Sequence, residues 1–166
     1  MTRTQRLLAL SLLSVLVGCT AVDESIVTKS ADYSTVVGSH DEFKRMFILQ
    51  EEQVVAIVAV NDVPVTKGTL SDPHQMKVRV DPGRQKLKLE ISHFKKCANP
   101  STTGALASVD FDVQAKLQYR VRGRANGPEF IVWLEDEKTA ERKSPEARIP
   151  LVFKQIPLYP SATLGC

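Results

Sequence analysis

The sequence predicts a mainly β fold: an antiparallel β-sandwich of roughly seven to eight strands with at most short helices. Three observations carry this expectation. Val109, Phe111, Val113, Ala115, Leu117, Tyr119 and Val121 occupy every second position, with Asp110, Asp112, Gln114, Lys116, Gln118, Arg120 and Arg122 between them. A period of two over that length places all the apolar side chains on one face of a strand. Residues 54–60 are a continuous run of Val, Ile and Ala, as expected of a strand covered on both faces. Residues 77–80 and 86–91 are two alternating runs around Asp81-Pro82-Gly83-Arg84, which reads as a hairpin because Pro-Gly suits the centre of a type II turn.

The elements follow in chain order. Arg3 and Arg6 precede residues 7–17, which contain only apolar residues and two serines. That run is too short for the roughly 20 residues needed to cross a bilayer core of about 30 Å. It has the form of an export signal, but ends without an A-x-A-like cleavage site. Instead it closes on Leu16-Val17-Gly18-Cys19, which resembles the recognition box of bacterial lipoproteins. The resemblance implies that residues 1–18 are removed and that the Cys19 thiol carries a diacylglyceryl group. The new amino group is then usually acylated as well. Two or more chains give stable membrane anchoring, at about 0.8 kcal/mol per buried CH₂. Thr20 follows Cys19 where an Asp retains many such proteins at the inner membrane. The resemblance therefore implies the outer membrane, at its periplasmic face.

Residues 20–38 are small, polar and weakly patterned and read as a tether. Ser39-His40-Asp41-Glu42 before Phe43 is a weak capping box that suggests a short helix, although residues 45–50 read equally well as a first strand. This gives a lipidated tether over 19–42 and a single sandwich domain over 43–166. Asn61-Asp62 is turn-forming, and Pro64 marks residues 63–65 as an edge strand. Residues 97–105 form a polar loop. The alternating strand over 109–121 comes next and is long enough to bend or bulge. Residues 123–128 form a turn, and residues 130–134, with Trp133, form another buried strand. Pro145 and Pro150 bracket a loop, and residues 151–153 add a last strand.

The segment 56–90 also resembles the PEGA-type surface domains of bacterial envelope proteins, through Ile57-Val58-Ala59-Val60-Asn61-Asp62, Pro64-Val65 and residues 78–84. Asn61-Asp62-Val63 stands where that family typically has an Asp-Gly turn. The run from Tyr119-Arg120-Val121 through Trp133-Leu134-Glu135-Asp136 resembles uncharacterised envelope lipoproteins. Both resemblances imply location more than mechanism.

The chain carries 22 Lys and Arg against 19 Asp and Glu. Loss of Arg3 and Arg6 with the leader brings it close to neutrality, which argues against nucleic acid as a partner. With Cys19 lipidated, Cys97 and Cys166 remain. An even pair in an oxidising compartment suggests a disulfide, worth about 4 kcal/mol of chain entropy for so long a loop. The alternatives are two free thiols, or a metal on Cys97 and His93. The latter supplies only two of the three or four ligands that zinc sites use.

No motif for catalysis or for a cofactor is present: the sequence has no G-x-S-x-G, no H-E-x-x-H and no P-loop. His93 ends an amphipathic strand and reads as a surface or rim imidazole. Glu135-Asp136-Glu137 reads as a solvated strand end, without the ligand spacing of a calcium loop. Lys116, Arg120, Arg122 and Arg124 would share one sheet face if the strand persists through Gly123, with Lys86 and Lys88 joining only if their strand is a neighbour. Such a face would suit an anionic partner, while acids opposite would make it an ordinary solvated surface. The resulting expectation is a non-catalytic binding or scaffold module in an envelope assembly, with an unidentified envelope protein as partner. A periplasmic inhibitor or immunity protein and an envelope hydrolase are the alternatives.

Overall fold

The computed structural model describes residues 24–26, 28, 30–45, 49–65, 75, 77–96 and 101–153. The expected leader 1–18 and all three cysteines, Cys19, Cys97 and Cys166, lie outside the described residues. Among the described residues twelve strands run in order: β1 (Glu24–Ile26), β2 (Ser34–Val37), β3 (Ser39–Arg45), β4 (Leu49–Val60), β5 (Val63–Pro64), β6 (Lys77–Val80), β7 (Gly83–Lys96), β8 (Ser101–Val113), β9 (Gln118–Asn126), β10 (Glu129–Asp136), β11 (Ala147–Pro150) and β12 (Val152–Phe153). The predicted mainly β, sandwich-like fold is present, with more strands than the seven or eight expected.

The strands form two sheets. Sheet I has the order β1-β6-β2-β9-β10-β11, and sheet II the order β12-β8-β7-β4-β3, with β5 on β4. Pairing is antiparallel except for β1 on β6 and β2 on β9. The spine of sheet II is the β7–β8 hairpin, in register from Gly83↔Val113 to Lys95↔Ser101. Leu87, Leu89 and Ile91 of β7 are fully buried, while Lys86 and Lys88 face out. From sheet I, Val78, Val80, Tyr119, Val121, Phe130 and Leu134 close the same core. Alternation of apolar and polar residues thus sets the inner and outer face of each sheet.

On β4 the inward residues Val55, Ile57 and Val60 enter the core, and a bulge shifts the register between Ile57 and Ala59. Val54 and Val58 on the other face are half-buried, so the apolar run has one core face and one partly covered face. The β4–β5 turn is Asn61-Asp62, with φ of 49° and 65°. Two consecutive positive φ values define a type I′ turn, which Asn and Asp tolerate. Asn61 holds it in place: its Oδ1 accepts from Lys86 N at 2.9 Å and its Nδ2 donates to Gln85 Oε1 at 2.7 Å.

Several local expectations are corrected by the topology. The segment read as the end of the tether and a helix start, residues 34–45, is two strands. β2 lies between β6 and β9, with Val36 and Val37 buried. The Ser39-Glu42 capping pattern caps nothing, because β3 satisfies its backbone on β4 from Ser39↔Val55 to Arg45↔Leu49. A long partner strand overrides a weak local signal. The runs flanking Pro82-Gly83 do not form a hairpin either. β6 belongs to sheet I and β7 to sheet II, so the turn is a crossing between sheets, with Gly83 at φ 103°.

The alternating run 109–121 is two strands in different sheets. It breaks at residues 114–117, where Lys116 has φ 62° and Ala115 is exposed. The alternation survives the corner because Val113 and Tyr119 face the same core from opposite sheets. Ser34 pins this corner, its hydroxyl donating to Gln114 O at 2.5 Å and accepting from Leu117 N at 3.1 Å. Tyr119 OH accepts from Gln114 N at 2.9 Å, in the manner of a tyrosine corner. The turn expected over 123–128 is confined to Gly127-Pro128, and the loop expected between Pro145 and Pro150 contains β11.

Candidate functional site

The basic residues singled out in the sequence do not form a free cationic face. Lys116 stands at the corner and not on β9, where it meets Asp32 at 2.8 Å, and that carboxylate raises its pKa. Arg120, Arg122 and Arg124 do share one face of β9, but each has a carboxylate partner. Arg120 binds Glu137 at 2.9 Å, Arg122 binds Glu135 at 2.9 Å and also Asp41 of β3, and Arg124 lies 3.7 Å from Glu146. Lys86 and Lys88 are on the other sheet, and Lys86 pairs with Asp62 at 3.2 Å. Local neutralisation of this kind leaves little net field for steering an anion.

The acid cluster is likewise committed, not merely solvated. Glu135 and Glu137 answer the β9 arginines, while Asp136 Oδ1 accepts from the Lys138 and Thr139 amides at 2.8 and 2.9 Å. Those two amides hold the Asp136 pKa below the ordinary carboxylate value. Among the described residues no group of three or more His, Cys, Asp or Glu is placed to hold a metal ion.

Two concave features remain. The first is a cavity of about 400 Å³ at one end of the sandwich, lined by Phe43, Glu51, Gln53, His93, Lys95, Arg124, Ala125 and Gly127. Ladder register explains its polarity. Along β4 and β7 the inward positions run through Val55↔Ile91 and then become Gln53↔His93 and Glu51↔Lys95. Thr103 continues the first polar row across β8 and Ser101 the second. The β9–β10 turn of sheet I closes over them.

His93, expected at the surface or rim, is only 5% exposed. Its Nδ1 lies 3.5 Å from Thr103 Oγ1, and its Nε2 lies 3.6 Å from Glu51 Oε2. Burial pushes its pKa below the ordinary value, against the pull of Glu51. Gln53 is also 5% exposed. Neither Gln53 Oε1 nor His93 Nε2 has a hydrogen-bond partner. At the far end of β7, by contrast, the equally inward Gln85 is satisfied by Asn61. Unpartnered polar atoms of this kind cost about 1–3 kcal/mol each and are rare in folded proteins. The sequence offered one signal for this site: the replacement of apolar residues by Gln53 and His93 at the next inward steps of β4 and β7.

The second feature is a groove of about 790 Å³ on the outer face of sheet II, lined by Val58, Ala59, Asp62, Pro64, Lys88, Glu90, Gly104, Ala105, Leu106 and Val152. It runs from the β5 side of the sheet to β12. Leu106 and Val152 are each 62% exposed, and Val63 beside Pro64 is 50% exposed. No known protein family matches the chain, and neither a curated protein nor a solved structure shows significant similarity to it.

Proposed function

We propose that this chain is a lipid-anchored protein of the bacterial outer membrane, held at its periplasmic face through Cys19. Its sandwich acts as a non-catalytic module that binds a partner protein in an envelope assembly. The observation supporting this reading is the groove on sheet II. Single exposed apolar residues are ordinary, whereas several grouped in one groove mark an interaction surface. Here Leu106 and Val152 line one side of the groove and Val58 and Pro64 the other, with Lys88 and Glu90 of β7 between them and Asp62 at the β5 end. The surface suits a partner segment that sets apolar side chains on either side of charges of both signs. The lipobox Leu16-Val17-Gly18-Cys19 supports the anchor. Anchoring two proteins at one membrane raises their effective concentration and permits a modest interface to suffice.

Photo-crosslinking in living cells tests the proposal. A crosslinking residue at Leu106 or Val152 is expected to yield a discrete adduct with another envelope protein. The same residue at Arg148, exposed on sheet I, is expected to yield none. Absence of adducts at both groove positions, or equal adducts at Arg148, overturns the binding surface. Cys19→Ser is expected to release the protein from the membrane fraction, and unchanged partitioning would overturn the anchor.

A further inference from the structure

We infer that the cavity at the end of the sandwich is a binding site for a small zwitterion, an amino acid held by its ammonium and carboxylate groups. This site is separate from the sheet II groove and goes beyond a partner-binding role. The cavity's volume of about 400 Å³ lies in the range of small-molecule sites. Its chemistry divides in two. Gln53 Oε1 is an acceptor without a donor, and it sits between the β3 and β7 strands in a buried row. Glu51 adds a carboxylate from the next row. His93 lies beside them, its pKa lowered by burial against the pull of Glu51. Its Nε2 faces Glu51 Oε2 at 3.6 Å and carries the proton toward that carboxylate, while its Nδ1 accepts from the Thr103 hydroxyl at 3.5 Å. The unpartnered Gln53 Oε1 and the Glu51 carboxylate, at successive inward positions of β4, give one ammonium group a neutral and a charged acceptor side by side.

The remaining charged lining is cationic. Lys95 lies opposite Glu51 in the ladder, and Arg124 reaches the cavity from sheet I. Arg124 is 59% exposed, and its nearest carboxylate, Glu146, is 3.7 Å away, so its guanidinium has donors to spare for a ligand carboxylate. Phe43, 42% exposed, supplies an apolar wall for a side chain. A simple anion would leave the acceptors unmet, and a simple amine would leave the cations unmet; a zwitterion satisfies both.

The test is calorimetric titration of the full chain in detergent with L-leucine, L-leucine methyl ester and N-acetyl-L-leucine, with the His93 imidazole nitrogen shifts followed by NMR. L-leucine is expected to bind and to move the His93 signals, and each blocked analogue is expected to bind at least about tenfold more weakly. Gln53→Met, similar in volume but lacking the acceptor, is expected to weaken L-leucine binding about tenfold while leaving the fold as stable or more so. No heat and no His93 shift with L-leucine overturns the inference, as does equal binding of the blocked analogues. Crosslinking from Leu106 reads the other surface, so either result stands without the other.

Discussion

The Phe130 ring packs against Gly123 so closely that a Cβ at Gly123 would stand 2.1 Å from Phe130 Cε1 and 3.0 Å from Ile131 O. Phe130 is fully buried in the core. Gly123→Ala is therefore expected to cost about 1–3 kcal/mol, the usual penalty for overpacking a core. Urea denaturation checks this, and an unchanged midpoint would show that the ring yields. Gly127→Ala, whose Cβ would meet nothing within 4 Å, serves as the comparison. At φ 59° its own cost is backbone strain alone.

The corner between β8 and β9 rests on two hydroxyls. Tyr119→Phe removes the acceptor of the Gln114 amide and is expected to cost about 1–2 kcal/mol. Ser34→Ala removes both a donor and an acceptor from the same corner and is expected to cost a similar amount. Because both hold Gln114, the double variant is expected to lose less than the sum of the two. Thermal or urea unfolding of the four proteins in the cycle measures the coupling.

Acid should weaken the fold through His93. The folded state binds this proton less tightly than the unfolded chain, whose imidazole titrates near about 6.5. The His93 contribution to stability is therefore fully present above that pH and is lost as pH falls toward the lowered folded value. His93→Leu is expected to flatten this part of the stability profile, with little effect at pH above neutrality. Unfolding midpoints compared above and below pH 6.5 decide the matter, and parallel profiles would refute it.

Arg122 carries more structure than its neighbours because it joins Glu135 on β10 to Asp41 on β3, one carboxylate from each sheet. Arg122→Ala is expected to cost about 1 kcal/mol, while Arg124→Ala, on a more exposed side chain, costs less. Reversing charge with Arg120→Glu and Arg122→Glu is expected to lower stability without changing how the Cys19→Ser protein binds vesicles containing an anionic lipid. Loss of such binding would restore an anionic-partner role to this face.

The sequence made the strands legible and their partners much less so. Alternation marks residues 86–91 and 109–121 as strand with one buried face, because burial acts on each residue through the period of two alone; it merges β8 and β9 into one strand and leaves residues 101–105 of β8 as a polar loop. It was silent on sheet membership. Val113 and Tyr119 keep the same parity across a sheet-to-sheet corner, and the Pro82-Gly83 turn looks identical whether it closes a hairpin or crosses between layers. β2 was missed because its four residues read as part of a polar segment until β6 and β9 arrive on either side. The polar cavity was hidden for a related reason. Gln53 and His93 look like ordinary polar positions at strand ends until register sets them side by side, facing inward.

The position of β2 also bears on the order in which the fold can assemble. β3, β4, β7 and β8 join mostly to near neighbours in the chain and can build sheet II from one continuous stretch. β2, near the start, has its partners in β6 and β9, the second of which pairs in parallel from far along the sequence. Contacts of such wide separation form slowly, because a long loop must close before they contribute. A chain delivered from its N-terminus therefore carries β2 with one edge open, paired at most to β6, until β9 has emerged. The centre of sheet I therefore closes late, around a strand that was among the first to be made.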